Sequence, residues 1–230
     1  MDRSSEYNVV KSFLGLGPDI LLELLSEMIL PQDVRQFLVL CKQIYKLKDH
    51  PRFEKIIQSI VKITPFFIIN DSSYGRSEVN KFIHSQEDNH CTIAIDPAIS
   101  EGIVRFEVVF ENTKNYKSLE ICDSSCSFAA NSNGDLNHVT QGIIKNQRYK
   151  DGQRIGIEID MTTIPRRATF FVGDVQQPNY IIGIPSEIRF QAYTYSGSSS
   201  FTVTKFERLI KSSSQGVVGS KALQWGKEWN

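Results

Sequence analysis

Residues 17–60 read GPDILLELLSEMILPQDVRQFLVLCKQIYKLKDHPRFEKIIQSI, and the apolar residues in this stretch recur at intervals of three and four. From Ile63 to Leu209 they alternate at intervals of two. A period of three to four is that of an amphipathic helix, and a period of two is that of a half-buried strand. The change near residue 62 therefore divides the chain into a helical part and a strand part. A small helical unit feeding a β-sandwich points to a docking module joined to a recognition module rather than to an enzyme.

Pro18, Pro31 and Pro51 each precede an amphipathic run, where a missing backbone N–H costs nothing because it would have no helical partner. The pattern predicts three helices, over about Pro18–Ile29, about Gln32–Leu47, and from about Pro51 onward. Ile20, Leu21, Leu24, Leu25 and Met28 form the apolar face of the first. Val34, Phe37, Leu38, Cys41, Ile44 and Tyr45 form that of the second, and Phe53, Ile56, Ile57 and Ile60 that of the third. Leu16, Leu22, Leu30, Val39 and Leu40 fall off these stripes. So many apolar residues exceed what a unit of roughly 45 residues buries alone, and the excess predicts a second contact surface.

Leu16, Pro18, Asp19, Ile20, Leu21, Leu24, Leu25, Pro31, Asp33, Val34, Leu38, Leu40, Cys41, Lys42 and Tyr45 follow the order of an F-box, and the stretch Leu16–Phe53 resembles that family. Gly17 stands where the family has proline, and Ile44 where it has tryptophan. The resemblance implies docking on the Skp-type adaptor of a cullin ubiquitin ligase, with Leu16, Pro18, Ile20, Leu21, Leu24, Leu25, Pro31, Val34, Leu38, Cys41 and Ile44 as adaptor-binding residues. A helical cap on the sandwich is the plainer alternative.

In the strand part, Cys91, Ile93 and Ile95 share a face, as do Val104, Phe106, Val108 and Phe110. Leu119 and Ile121, then Ile155, Ile157 and Ile159, then Ala168, Phe170 and Val172 repeat the pattern. Ile188, Phe190 and Ala192, with Phe201 and Val203, complete it. Arg105, Glu107, Glu158 and Asp160 fall on the opposite faces and read as solvated. Short alternating strands separated by Gly/Asn/Ser/Pro turns indicate an antiparallel sandwich. Gly152, Ile155, Gly156, Ile157, Ile159 and Asp160, followed by Thr169, Phe170, Phe171, Val172, Gly173 and Asp174, resemble the core strands of the SPRY family, a bent concanavalin-like sandwich, over about residues 64–209. The family's tryptophan and Leu-Gly motifs are missing. Asp151-Gly152 reads as a turn, and Gly156 inside a strand as a point of close approach.

The expected architecture is mainly β: a flexible N-terminus (1–12), an F-box-like three-helix module (13–62), a SPRY-like antiparallel sandwich (63–210), and a Ser/Gly-rich tail (211–230) carrying Trp225 and Trp229. The tail is either disordered or packed back through its tryptophans.

Lys+Arg and Asp+Glu both number 26, so net charge gives no case for nucleic acid or membrane as partner. Cys41, Cys91, Cys122 and Cys126 lack the spacing of a disulfide framework, and no signal-peptide-like stretch opens the sequence. A cytoplasmic or nuclear location is expected. Cys122, Cys126 and His138 are too few for a zinc site, so neither metal nor cofactor is expected. No catalytic constellation emerges. Glu158 and Asp160 share one strand face, which a glycosidase would need to flank a bond. The polar loops 71–87, 124–141 and 193–200 combine aromatic with small polar residues, as adaptable binding surfaces do. They supply Tyr74, Phe128, Asn133, Tyr193 and Tyr195 as target-binding residues. The expected function is a non-enzymatic adaptor that recruits an unknown target protein to a ubiquitin ligase. The alternatives are a SPRY-type interaction module without a ubiquitin role, and a lectin or glycoside hydrolase.

Overall fold

Pro18 opens the first helix of the computed structural model, which describes residues 15–123, 127–138 and 145–229. The N-terminal stretch 1–12, Cys126 and the Phe128 side chain lie outside the described residues. The chain divides into two compact units, Met1–Lys62 and Ile63–Asn230.

The helical unit contains α1 (Pro18–Ser26), α2 (Pro31–Leu38), α3 (Lys42–Tyr45) and α4 (Phe53–Val61). Proline opens both α1 and α2, and Asp19 and Asp33 place negative charge in their first turns, where the helix dipole favours it. The expected continuous second helix is broken. Cys41 takes an extended backbone (φ −162°, ψ 165°), which ends the hydrogen-bonded run and leaves α3 a single turn. A 3-10 turn at Lys46–Asp49 follows, and His50, held extended ahead of Pro51, closes it. The expected three helices are thus four short ones among the described residues. Leu21, Leu22, Leu25, Val34, Phe37, Ile44, Leu47, Ile56 and Ile60 form one apolar core. Leu22, off the expected stripe, is fully buried in the same core.

The second unit is built from β1 (Phe66–Ile68), β2 (Gly75–Glu78), β3 (Lys81–His84), β4 (Cys91–Ile99), β5 (Ile103–Glu111), β6 (Lys117–Cys122) and β7 (Ser127–Asn131). It continues with β8 (Leu136–Asn137), β9 (Arg154–Asp160), β10 (Arg167–Val172), β11 (Val175–Ile182), β12 (Ile188–Thr194), β13 (Ser200–Leu209) and β14 (Lys221–Gln224). Six strands pair in the order β1-β4-β12-β6-β7-β8 and eight in the order β14-β11-β10-β9-β5-β13-β3-β2. Pairing is antiparallel except between β11 and β14. The residues expected to face inward do so: Ile93, Ile95, Phe106, Phe110, Leu119, Ile157, Phe170, Phe190 and Phe201 are all buried in one core shared by the two sheets. Parts of the expected loops 71–87 and 124–141 are strands, namely β2, β3, β7 and β8.

The outer face of the eight-stranded sheet is not solvated. Arg105, Glu107, Glu158 and Asp160 are buried, Glu158 under the chain that returns across this face after β13. The Glu158 carboxylate accepts the Ser212 hydroxyl at 2.5 Å, the Ser213 N–H at 3.1 Å and the Ser213 hydroxyl. Arg105 donates to Glu107 at 2.9 Å and lies 3.5 Å from the centroid of the Phe171 ring. A Cβ at Gly156 would come within 3.0 Å of the Arg105 guanidinium, which explains glycine at that strand position. Gly152, at φ +82°, occupies the left-handed turn that Asp151-Gly152 signals. The tail packs back. Leu223 and Trp229 join the sandwich core, Trp225 packs partly against it, and the Trp229 indole N–H donates to the Gln224 carbonyl at 2.8 Å.

Candidate functional site: a groove on the six-stranded sheet

The same alternation that turns Leu119, Ile121, Ala130 and Ala192 inward turns Ser118, Glu120, Ala129, Asn131 and Tyr193 outward. These outward residues floor an open groove of about 580 Å³ on β6, β7, β8 and β12. One wall is the segment between β5 and β6, contributing Lys114, Asn115 and Tyr116; another is the β7–β8 turn with Ser132 and Asn133.

The first wall is held rigidly. Thr113 is buried, and Asp151 accepts both its N–H (2.8 Å) and its hydroxyl (2.6 Å). Ser196 donates to the Thr113 carbonyl at 3.0 Å. Asn112, Lys114 and Asn115, on either side, adopt left-handed φ of 58°, 50° and 71°. Such conformations are costly outside glycine and persist only where surrounding structure enforces them. The two walls are tied together by the Ser132 hydroxyl, which donates to the Asn115 carbonyl at 2.6 Å. Lys117, fully buried beneath the wall, is neutralised by Asp151 at 2.7 Å.

A row of aromatic rings borders the groove. Tyr193 stacks on His90 with centroids 5.9 Å apart, and its hydroxyl lies 2.9 Å from the His90 Nδ1. Tyr195 meets His90 edge-on at 5.1 Å and Tyr116 at 5.6 Å. Tyr116 is 60% exposed. At the floor, burial pushes the Glu120 carboxyl above the usual carboxylate range, opposed by the Ser118 hydroxyl that donates to it at 2.5 Å.

Of the expected target-binding residues, Asn133 and Tyr193 line this groove, and Tyr195 joins its rim through Tyr116 and His90. Tyr74 packs partly against the sandwich core and does not line it. The Phe128 side chain lies outside the described residues. Sequence reasoning missed Tyr116, His90, Glu120 and Asn131. Ser118 and Glu120 are the outward set of the strand whose inward set, Leu119 and Ile121, was read; alternation alone could have marked them as a sheet-face pair.

Among the described residues other chemistry is not assembled. Cys91 lies in the core, where burial pushes its thiol up to about 12. Among the described residues no cluster of His, Cys, Asp and Glu could hold a metal ion. Asp160 is occupied by the Thr162 N–H and hydroxyl at 2.9 and 2.6 Å, and Glu158 by the returning chain, so the two carboxylates do not face a cleft. No described helix is long and apolar enough to cross a membrane.

In the helical unit, Leu21, Leu25, Pro31, Val34 and Ile44 are buried, and Leu16, Leu38 and Cys41 pack partly against the same core. These residues belong to the core of the unit or pack against it. Pro18, Ile20 and Leu24 are exposed. Ile29, Val39, Leu40 and Tyr45 are exposed as well, Val39 to 70% and Leu40 to 66%. The surplus apolar surface expected from composition exists, on these side chains.

No family model and no curated protein matches the sequence. Among solved structures, the chain is similar to the SPRY domain of human HERC1, with a TM-score of 0.47, 10% identity, and 55% of this chain and 88% of that chain covered. It is also similar to the PSpry domain of TRIM65, with a TM-score of 0.46, 9% identity, and 65% and 96% covered. Both scores lie below 0.5, and the functional reading rests on the geometry described above.

Proposed function

We propose that this protein is a non-enzymatic adaptor whose sandwich holds a segment of a target protein in the groove bordered by Tyr116 and Tyr193. The observation that carries the reading is that groove itself. Polar side chains on a rigid sheet face are flanked by rings with large apolar area, on a wall whose strained backbone is pinned from below. Aromatic anchors of this kind supply most of the energy of protein recognition, and preorganisation lowers its entropic cost.

The helical unit, in this reading, docks on a Skp-type adaptor of a ubiquitin ligase. The F-box resemblance of Leu16–Phe53 and the exposed apolar side chains Ile20, Leu24, Val39 and Leu40 support it. Covering such a surface on a partner removes apolar area from water and stabilises the helical unit by linkage. Target recruitment for ubiquitination, in the cytoplasm or nucleus, is the resulting function.

Two binding measurements test the two halves. The full chain should bind a recombinant Skp-type adaptor at concentrations of ~10 μM or below, as a specific interface of standard size does. A photo-reactive phenylalanine at position 116 should cross-link to protein partners in cells, whereas the same group at the exposed Ile164 should not. Adaptor binding absent at that concentration removes the ligase role. Equal labelling from both positions removes the groove as recognition site.

A further inference from the structure

Glu120 is a half-buried carboxylate that, among the described residues, is held by one hydroxyl and no cation. It lines the groove floor on β6, opposite Gln191 of β12 on one side and Ala129 of β7 on the other. The Ser118 hydroxyl is the hydrogen-bond donor it has, and no cation acts on it among the described residues. The nearest lysine in sequence, Lys117, is committed to Asp151 and Thr113, at 2.7 and 2.9 Å. Lys114 stands out on the wall, exposed to water. Elsewhere in the sandwich the withdrawn carboxylates are satisfied: Glu107 by Arg105 and Arg154, Glu158 by Ser212 and Ser213, Asp160 by Thr162. A desolvated carboxylate is unfavourable unless a counter-charge or several hydrogen-bond donors compensate it, and Glu120 has a single donor. Here the open side faces a groove bordered by the tyrosine rings of Tyr116 and Tyr193, whose faces attract cations.

We propose that the groove receives a basic side chain of the target, a guanidinium or ammonium group that pairs with the Glu120 carboxylate beside the rings of Tyr116 and Tyr193. The proposal rests on the reading of the groove as the target site and names the chemistry it selects. Backbone groups of β6, β7 and β12 are spent in the sheet ladder, so recognition falls to side chains, and on the floor the withdrawn Glu120 carboxylate sets the preference. Ala129, small and facing outward beside Glu120, leaves room above the carboxylate.

The test uses the ¹⁵N-labelled full chain and three capped pentapeptides, acetyl-Gly-Gly-X-Gly-Gly-amide, in which X is arginine, lysine or citrulline. Citrulline keeps the shape of arginine and removes its charge. Chemical-shift titration should place the arginine and lysine peptides on residues of β6, β7 and β12. The citrulline peptide should bind about tenfold more weakly, the loss expected when a charge-assisted contact becomes a neutral one. Glu120→Gln keeps the side-chain shape and should remove the difference between arginine and citrulline. Tyr116→Ala, at an exposed position, should weaken the charged peptides without unfolding the protein. Equal binding of the arginine and citrulline peptides, shifts confined to another surface, or an unchanged arginine preference in Glu120→Gln would overturn the proposal. If position 116 cross-links to partners but no charge preference appears, the groove reading stands and this inference alone fails.

Discussion

Phe106 of β5 and Phe190 of β12 stack across the two sheets, with ring centroids 4.4 Å apart and planes 12° from parallel. Phe206 meets both rings edge-on, at 5.1 and 5.7 Å. The three rings join the eight-stranded to the six-stranded sheet, beneath the strands that carry the groove. Phe190→Ala should cost about 3–5 kcal/mol, the range for deleting a buried aromatic ring. Urea unfolding of the full chain measures it. A loss under ~1 kcal/mol would mean that the inter-sheet contact is not where the structure puts it.

Adjacent leucines on α1 should behave in opposite ways. Leu25→Asp places a charge in the core of the helical unit and should abolish its helical circular dichroism, since an unpaired buried charge costs far more than so small a core supplies. Leu24→Asp, on the exposed side, should leave the helical signal within ~0.5 kcal/mol of wild-type stability. If Leu24→Asp unfolds the unit as Leu25→Asp does, the assignment of inner and outer faces is wrong.

Asp151 makes stability depend on pH. Burial raises its pKa, but the hydrogen bonds from the Lys117 ammonium and from the Thr113 hydroxyl and N–H outweigh this, and the net value lies below the ordinary 3.8. A carboxyl whose folded pKa is depressed stabilises the fold fully above its unfolded pKa. That contribution is lost as pH falls through the folded value. The wild type should therefore weaken as pH drops below about 4. Asp151→Asn should show a shallower fall across this window. It should also lose ~3 kcal/mol at neutral pH, because Lys117 stays buried without its partner. Parallel pH curves for the two proteins would show that this pair does not govern the acid limb.

The segment over the outer face of the eight-stranded sheet is anchored by Glu158, and beyond it by Gln176 and β11. Glu158→Ala removes the acceptor for Ser212 and Ser213 and should raise the rate of tryptic cleavage after the exposed Lys211. An unchanged cleavage rate would indicate that β14 and Trp229 alone secure the tail.

The legible part of this fold was whatever a period can carry. Alternation marked Phe106, Ile157, Phe170 and Phe190 as inward, because residues two apart share a sheet face regardless of what lies beyond it. It misread Arg105, Glu107, Glu158 and Asp160 as solvated. The partners of Glu158 are Ser212 and Ser213, more than fifty positions downstream, Arg105 lies against the Phe171 ring and Asp160 is held by Thr162, and no local pattern announces such cover. In the helical part, the stripe of Ile20, Leu21, Leu24, Leu25 and Met28 puts Leu21 and Leu25 in the core, but its members Ile20 and Leu24 are exposed. It could not show that Cys41 would turn extended and cut the second helix. The groove was half legible. Composition marks Tyr193, Tyr195 and Asn133, whereas Glu120 joins them only because β6 and β12 pair side by side, and Tyr116 through its ring contact with Tyr195.

The central claim is that one chain bridges two partners through separate surfaces. The direct measurement is retention on an immobilised Skp-type adaptor, followed by mass spectrometry of whatever the protein brings with it. Wild type should be retained and should carry a protein partner. Tyr116→Ala with Tyr193→Ala should be retained without that partner, and Ile20→Asp with Leu24→Asp should lose both. A wild-type chain that fails to be retained, or a groove variant that carries the same partner as wild type, would contradict the account.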